Sequence, residues 1–108
     1  MGQKVSGIVV RGDGYGRKLG YPTANLDFKN TEIKPGVYSG VTIFENESHR
    51  SGILINPDGK VEAHLLNFDG DLYGKTLTLE LGQFIREYKK FDSEAELITQ
   101  IAKDLKKC

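Results

Sequence analysis

Between Arg11 and Asn25 the chain reads Arg-Gly-Asp-Gly-Tyr-Gly-Arg-Lys-Leu-Gly-Tyr-Pro-Thr-Ala-Asn, its densest run of chemically suggestive residues. Gly12, Gly14 and Gly16 fall at every second position. Without Cβ atoms they let the backbone approach a ligand and turn its N–H groups toward phosphate oxygens. Arg17 and Lys18 supply the countercharge. A flexible loop joining two strands would use the same glycines, so the residues after them must decide between the two. Thr23 and Asn25 stand two apart, which puts their side chains on one face of an extended segment, and Pro22 restricts the backbone just before them. A hydroxyl and an amide oxygen are hard ligands suited to Mg²⁺, which shares phosphate oxygens and keeps water rather than requiring an all-protein cage. Directly after a loop of glycines and cations, these residues point to metal-bound phosphates.

Glu62 and His64 are also two apart, within a run that reads as a strand, and so share a face. Two such ligands do not make a zinc site, and a solvated pair on an edge strand has the same pattern. A glutamate projecting into a cleft is instead suited to take the proton of an attacking hydroxyl. Arg86, Lys89 and Phe91 join cations to a ring, an arrangement that holds a flat heteroaromatic ligand by stacking or lets long side chains snorkel beside a core phenylalanine. The dinucleotide fingerprint is excluded because the third glycine spacing is wrong and no helix pattern follows, and the P-loop is excluded in two places. The loop before Thr23 lacks the Gly-Lys-Ser/Thr close of a P-loop, and Gly70-Asp71-Leu72-Tyr73-Gly74-Lys75-Thr76 is one residue short of that spacing and leads into a strand.

The elements that must position these residues are mostly strands. Val5–Val10, Gly36–Phe44, Gly52–Ile55, Val61–Phe68 and Lys75–Ile85 are predicted strands, the last with Leu77, Leu79 and Leu81 on one face. Glu45 to Arg50 is read as a polar turn, and Asn56-Pro57-Asp58-Gly59 has strong turn chemistry. The single predicted helix opens on the capping box Ser93-Glu94-Ala95-Glu96, with Leu97, Ile98, Ile101, Ala102 and Leu105 at helical spacing. Short strands with one terminal helix imply a mainly β domain, a small antiparallel Greek-key barrel plugged or flanked by the helix, since an open sheet of this size leaves edges and a bare face. With 108 residues, residues 1–108 are expected to form a single domain, and 15 basic against 15 acidic residues exclude the strong charge that advertises nucleic acid or an anionic membrane. No apolar run has membrane-spanning length, no signal peptide is read, and the lone Cys108 has no internal partner, so a cytoplasmic protein is expected.

Taken in order, these segments resemble the riboflavin kinase (flavokinase) family, both its single-domain kinases and the kinase module of bifunctional FAD synthetases. The matching residues are Val9 to Gly12 with Gly14 and Gly16, Leu19 to Leu26, Pro35 to Tyr38, Glu62 to Phe68, Asp71 to Gly74, and Arg86 through Ser93. The resemblance implies a six-stranded barrel with a C-terminal α-helix. Its implied activity is transfer of the ATP γ-phosphoryl to the ribityl 5′-hydroxyl of riboflavin, giving FMN with Mg²⁺ or another divalent cation. By the same resemblance Gly12, Gly14, Gly16 and Lys18 belong to the nucleotide loop, Thr23 and Asn25 to metal and phosphate, and Glu62 is the base. Leu65, Asn67 and Tyr73 match the nucleotide-side wall, and Arg86, Lys89 and Phe91 match the flavin site. The partners implied are riboflavin and ATP, with neither nucleic acid nor membrane, and the protein is expected to be a monomer.

The sequence departs from the family between Pro57 and Glu62, where only Asp58-Gly59-Lys60-Val61 stands in place of a longer insertion that helps cover the site. The lid is therefore expected to be short or absent. With only Met1 to Lys4 ahead of the first strand, no adenylyltransferase module is expected. The competing function is a catalytically weak flavin- or nucleotide-binding module, which would have no need of the base at Glu62. A single-strand nucleic-acid binder would want a basic groove with exposed aromatics, against the neutral charge.

Overall fold

The structure is a computed structural model that describes residues 3–11, 23–28, 32–66, 68, 70–91 and 93–108. Six strands, β1 (Lys4–Val10), β2 (Ala24–Leu26), β3 (Gly36–Phe44), β4 (Glu47–Ile55), β5 (Val61–Leu65) and β6 (Thr76–Arg86), precede one helix, α1 (Glu94–Lys106). The strands form a closed antiparallel barrel in the order β1-β2-β5-β4-β3-β6. Closure pairs both edges of the sheet, which removes the open edges a flat sheet would expose.

Alternation decides which residues face inward. Leu77, Leu79 and Leu81 of β6 point into the barrel with Val5, Val9, Ala24, Leu26, Ile53, Ile55, Val61, Ala63 and Leu65, and form one apolar core. Thr42 and Ser51 lie within it and satisfy each other through a 2.7 Å hydroxyl pair. Phe44, His49 and Phe68 meet in stacked and edge-to-face contacts. Toward the C-terminal part of β6 the pairing with β3 slips, and the Ser39 hydroxyl accepts from the Gln83 N–H at 3.0 Å within this irregularity.

Apart from shifts of one residue at strand ends, three elements differ from the sequence reading. Ala24–Leu26 is a strand of its own, too short for periodicity to reveal. The polar stretch read as a turn contains only a two-residue turn at Glu45 and Asn46, both at positive φ, and Glu47 to Arg50 already belong to β4. Their polarity reflects largely exposed side chains on a strand that projects beyond the core. The run after β4 forms a strand only to Leu65.

The helix lies against the outside of the barrel. Ser93 is its N-cap and accepts from the Glu96 N–H at 3.2 Å, as the capping box predicts. Gly52 on β4 leaves the space that Leu105 and Cys108 occupy. Asp104, 5% exposed, receives Arg86 of β6 through Nε at 2.9 and 3.0 Å and Nη2 at 2.8 Å. Gln100 donates to the same carboxylate at 2.9 Å. Among the described side chains, Asp104 and Cys108 are buried and Ile101, Ala102 and Leu105 half-buried, while Ile98, expected on the apolar face, is 37% exposed. Burial, reinforced by Asp104 and opposed by Arg50, pushes the Cys108 thiol up, so it stays protonated near neutrality.

Leu79→Ala is expected to cost about 2–5 kcal/mol, because a fully buried leucine leaves both lost transfer energy and a cavity. Ile8→Ala on the outer face, where Ile8 is 50% exposed, should stay within about 0.5 kcal/mol. Denaturant melts of the two variants check the inside-outside assignment.

Candidate active site

The same alternation that fills the core turns the chemically suggestive residues outward. Ala24 and Leu26 face the interior, which leaves Asn25 on the outer surface of β2, and Val61, Ala63 and Leu65 leave Glu62 and His64 on the outer surface of β5. Asn25 and Glu62 are direct cross-strand partners. Thr23, immediately before β2, shares the face of Asn25, and its hydroxyl donates to Glu62 Oε1 at 3.1 Å. The side-chain amide of Asn56, at the end of β4, donates to Glu62 Oε2 at 3.1 Å. The half-buried carboxylate therefore has a donor on each oxygen.

The outward positions continue around the barrel. Val10, Asn25, Glu62, Leu54, Val37 and Arg86 are successive cross-strand partners along β1-β2-β5-β4-β3-β6. Glu62 and Arg86 lie three strand spacings apart in this row, roughly 14 Å along the sheet. Beside the β1 end of the row, Tyr73 is 54% exposed, and the Arg11 guanidinium carbon sits 4.8 Å from its ring centroid. Asp71 accepts from the Tyr73 N–H at 2.9 Å, and Gly74, at φ 82°, donates to Val9, which fixes this turn against β1. At the β6 end, Arg86 and Lys89 approach the Phe91 ring to 5.5 and 5.3 Å.

Of the residues singled out in the sequence, Thr23, Asn25 and Glu62 come together on one patch, and Arg86, Lys89 and Phe91 form a second. Tyr73 presents an exposed ring. Leu65 is 6% exposed inside the core, so its backbone is what it can offer a ligand, whereas the resemblance had set it on the nucleotide side. Gly12, Gly14, Gly16, Lys18 and Asn67 lie outside the described residues. Arg86 is more committed than a ligand-binding arginine need be. Besides the three contacts to Asp104, its Nη1 donates to the Glu87 carbonyl at 3.0 Å, so it ties the helix to the barrel while one face meets the Phe91 ring. Asn56 was read as turn chemistry alone. Its signal was its position two residues beyond Leu54, the cross-strand partner of Glu62, which puts its side chain on the same outer face.

The patch of Thr23, Asn25 and Glu62 offers oxygen donors from a hydroxyl, an amide and one carboxylate. Among the described residues no three His, Cys, Asp or Glu side chains gather as a metal cage. Such a set suits a hard divalent cation that completes its shell with phosphate and water. Thr23 donates its one proton to Glu62 and keeps oxygen lone pairs for a cation, so the residues fit Mg²⁺.

Thr23→Val keeps the β-branched shape and removes the hydroxyl. Calorimetric titration with Mg·ADP should show affinity lower by about 10-fold, or about 1.4 kcal/mol, with melting nearly unchanged. Unchanged affinity would remove Thr23 from the metal-phosphate site. Arg86→Ala leaves the buried Asp104 without its cation, so it should lower stability by about 3–5 kcal/mol. A variant that melts like the parent would contradict the structural role.

Comparison with known proteins places this arrangement. The riboflavin kinase (Flavokinase) family model matches residues 2–108. The chain is 36% identical over 110 residues to the RNA-binding riboflavin kinase of Bacillus subtilis, a match covering 94% of this chain and 47% of that protein. It is 37% identical over 106 residues to the bifunctional riboflavin kinase/FMN adenylyltransferase of Mycoplasma pneumoniae, covering 93% of this chain and 39% of that one. The chain thus spans less than half the length of these curated relatives. Among solved structures, riboflavin kinase from Trypanosoma brucei superposes with a TM-score of 0.71 at 26% identity, over 95% of this chain and 72% of its own. A crystal structure described as a macrolide-efflux protein from Streptococcus pneumoniae superposes with a TM-score of 0.86 at 30% identity, over 97% of this chain and 38% of that one. A family match across nearly the whole length, together with the closed six-stranded barrel, means that the chain belongs to the riboflavin kinase family.

Proposed function

We propose that the protein phosphorylates riboflavin to FMN with ATP, and that Glu62 is the general base. The observation that carries this reading is the convergence of Thr23, Asn25 and Glu62 on one outer patch, joined by the 3.1 Å hydrogen bond from Thr23 to Glu62. Phosphoryl transfer requires little covalent chemistry from a protein. It requires alignment of two substrates, neutralisation of phosphate charge and a proton acceptor beside the nucleophile. When bound here, a divalent cation would withdraw charge from the phosphates. Thr23 and Asn25 would hold it through their side-chain oxygens.

Glu62 accepts the proton of the ribityl 5′-hydroxyl as the new oxygen–phosphorus bond forms. The bond from the γ-phosphorus to its bridging oxygen breaks, and ADP leaves with the electron pair. Arg86, Lys89 and Phe91 hold the isoalloxazine end, and the roughly 14 Å from Glu62 to Arg86 accommodates a flat ring system with a ribityl chain directed back to the base. Tyr73 with Arg11 offers a stacking surface for the nucleotide, and Gly12, Gly14, Gly16 and Lys18 belong to its phosphate loop. This reading makes riboflavin and ATP the partners of a cytoplasmic monomer.

Glu62→Gln preserves size and polarity but cannot take the proton. It should bind riboflavin and Mg·ATP nearly as the parent does and lose about 10²–10⁴-fold in kcat, the contribution of a positioned general base. Chromatographic separation of riboflavin and FMN during turnover measures the loss. Parental kcat in this variant would refute the base assignment.

A further inference from the structure

We infer that Asn56 is a positioning residue that fixes the orientation of the Glu62 carboxylate, and that the short β4–β5 hairpin is shaped to hold it there. The inference rests on the reading of Glu62 as the base. Its ground is the pairing of donors: Thr23 engages Oε1 and Asn56 engages Oε2, each at 3.1 Å. With one donor, a carboxylate can rotate about its last side-chain bond. With a donor on each oxygen from opposite sides of β5, it is held in one plane.

The hairpin anchors Asn56 independently of its side chain. The Asn56 N–H donates to the Lys60 carbonyl at 2.9 Å, and its own carbonyl accepts from the Gly59 N–H at 2.9 Å. Gly59 takes φ 93°, which closes the turn, and the Asp58 carboxylate accepts from the Lys60 N–H at 3.1 Å. Both main-chain groups of Asn56 are thereby committed to the turn, and its side chain is left on the outer face beside Glu62. The connection from Asn56 to Lys60 thereby supplies a support for the base. The two donors differ in consequence. Thr23 also belongs to the proposed metal-phosphate site, so its loss affects nucleotide binding, whereas the side-chain hydrogen bond of Asn56 goes to Glu62, through which it acts.

The test is a double-mutant cycle of Asn56→Ala and Glu62→Gln, with FMN formation followed from γ-labelled ATP so that slow variants stay measurable. Asn56→Ala alone should lower kcat by between about 10-fold and 10²-fold through misplacement of the base, with KM for riboflavin and Mg·ATP within about twofold. On the Glu62→Gln background the same substitution should change kcat by less than about twofold, because the group it positions no longer accepts a proton. Equal losses on both backgrounds, or parental kcat in Asn56→Ala, would overturn the inference. Should Asn56→Ala fail to melt cooperatively, Asn56→Asp replaces it in the cycle. That variant keeps the shape and both main-chain anchors while replacing the donor with an acceptor, and the same outcomes decide. Full activity of Glu62→Gln by itself would remove the base reading and this inference with it, whereas a slow Glu62→Gln beside a fully active Asn56→Ala would remove this inference alone.

Discussion

The three-residue strand β2 is the constraint on which the rest depends. It pairs with β1 on one side and β5 on the other, and without it the barrel would open between them. Because its side chains alternate, the strand that closes the core by burying Ala24 and Leu26 must also turn Asn25 outward. Antiparallel register then sets Asn25 opposite Glu62 and brings Thr23 within hydrogen-bond reach of it. Closure of the fold and assembly of the site are thus one event. A one-residue slip in β2 would expose its core residues and bury Asn25 together.

Charge is treated differently at Glu62 and at Asp104. Glu62 is half-buried with neutral donors on both oxygens, and among the described residues no cation pairs with it. Asp104 is nearly buried and meets a guanidinium through both oxygens. The first arrangement suits a group that must accept a proton. The second suits a group that must hold a helix in place, since breaking a buried pair leaves an uncompensated charge. Arg86 anchors the helix through Asp104 and presents one face to Phe91.

Much of this was legible in the sequence where a physical rule acts locally. The capping box at Ser93 located the helix start, the alternation of Leu77, Leu79 and Leu81 located β6, and the two-residue spacing of Thr23 and Asn25 gave their shared face. What escaped depended on pairing between distant segments. Three residues cannot display a period, so β2 is recognisable only from its partners. Glu47 to Arg50 read as a turn because a strand extending past the core carries polar residues on both faces. The Asp104 partner of Arg86 lies 18 residues away with no motif to connect them. Asn56 was hidden by a sufficient local explanation, since its place in an Asn-Pro-Asp-Gly turn left nothing for its side chain to account for.

The central claim is that the outward face of β2 and β5 carries out phosphoryl transfer between ATP and riboflavin. Incubation of the protein with riboflavin, Mg²⁺ and ATP labelled at the γ-phosphorus, followed by separation of the flavins, tests it most directly. Label should enter FMN in proportion to riboflavin consumed, and only in the presence of the divalent cation. Riboflavin and nucleotide that bind while no label enters the flavin would contradict it, and would leave the barrel a binding module with a carboxylate that has no proton to take.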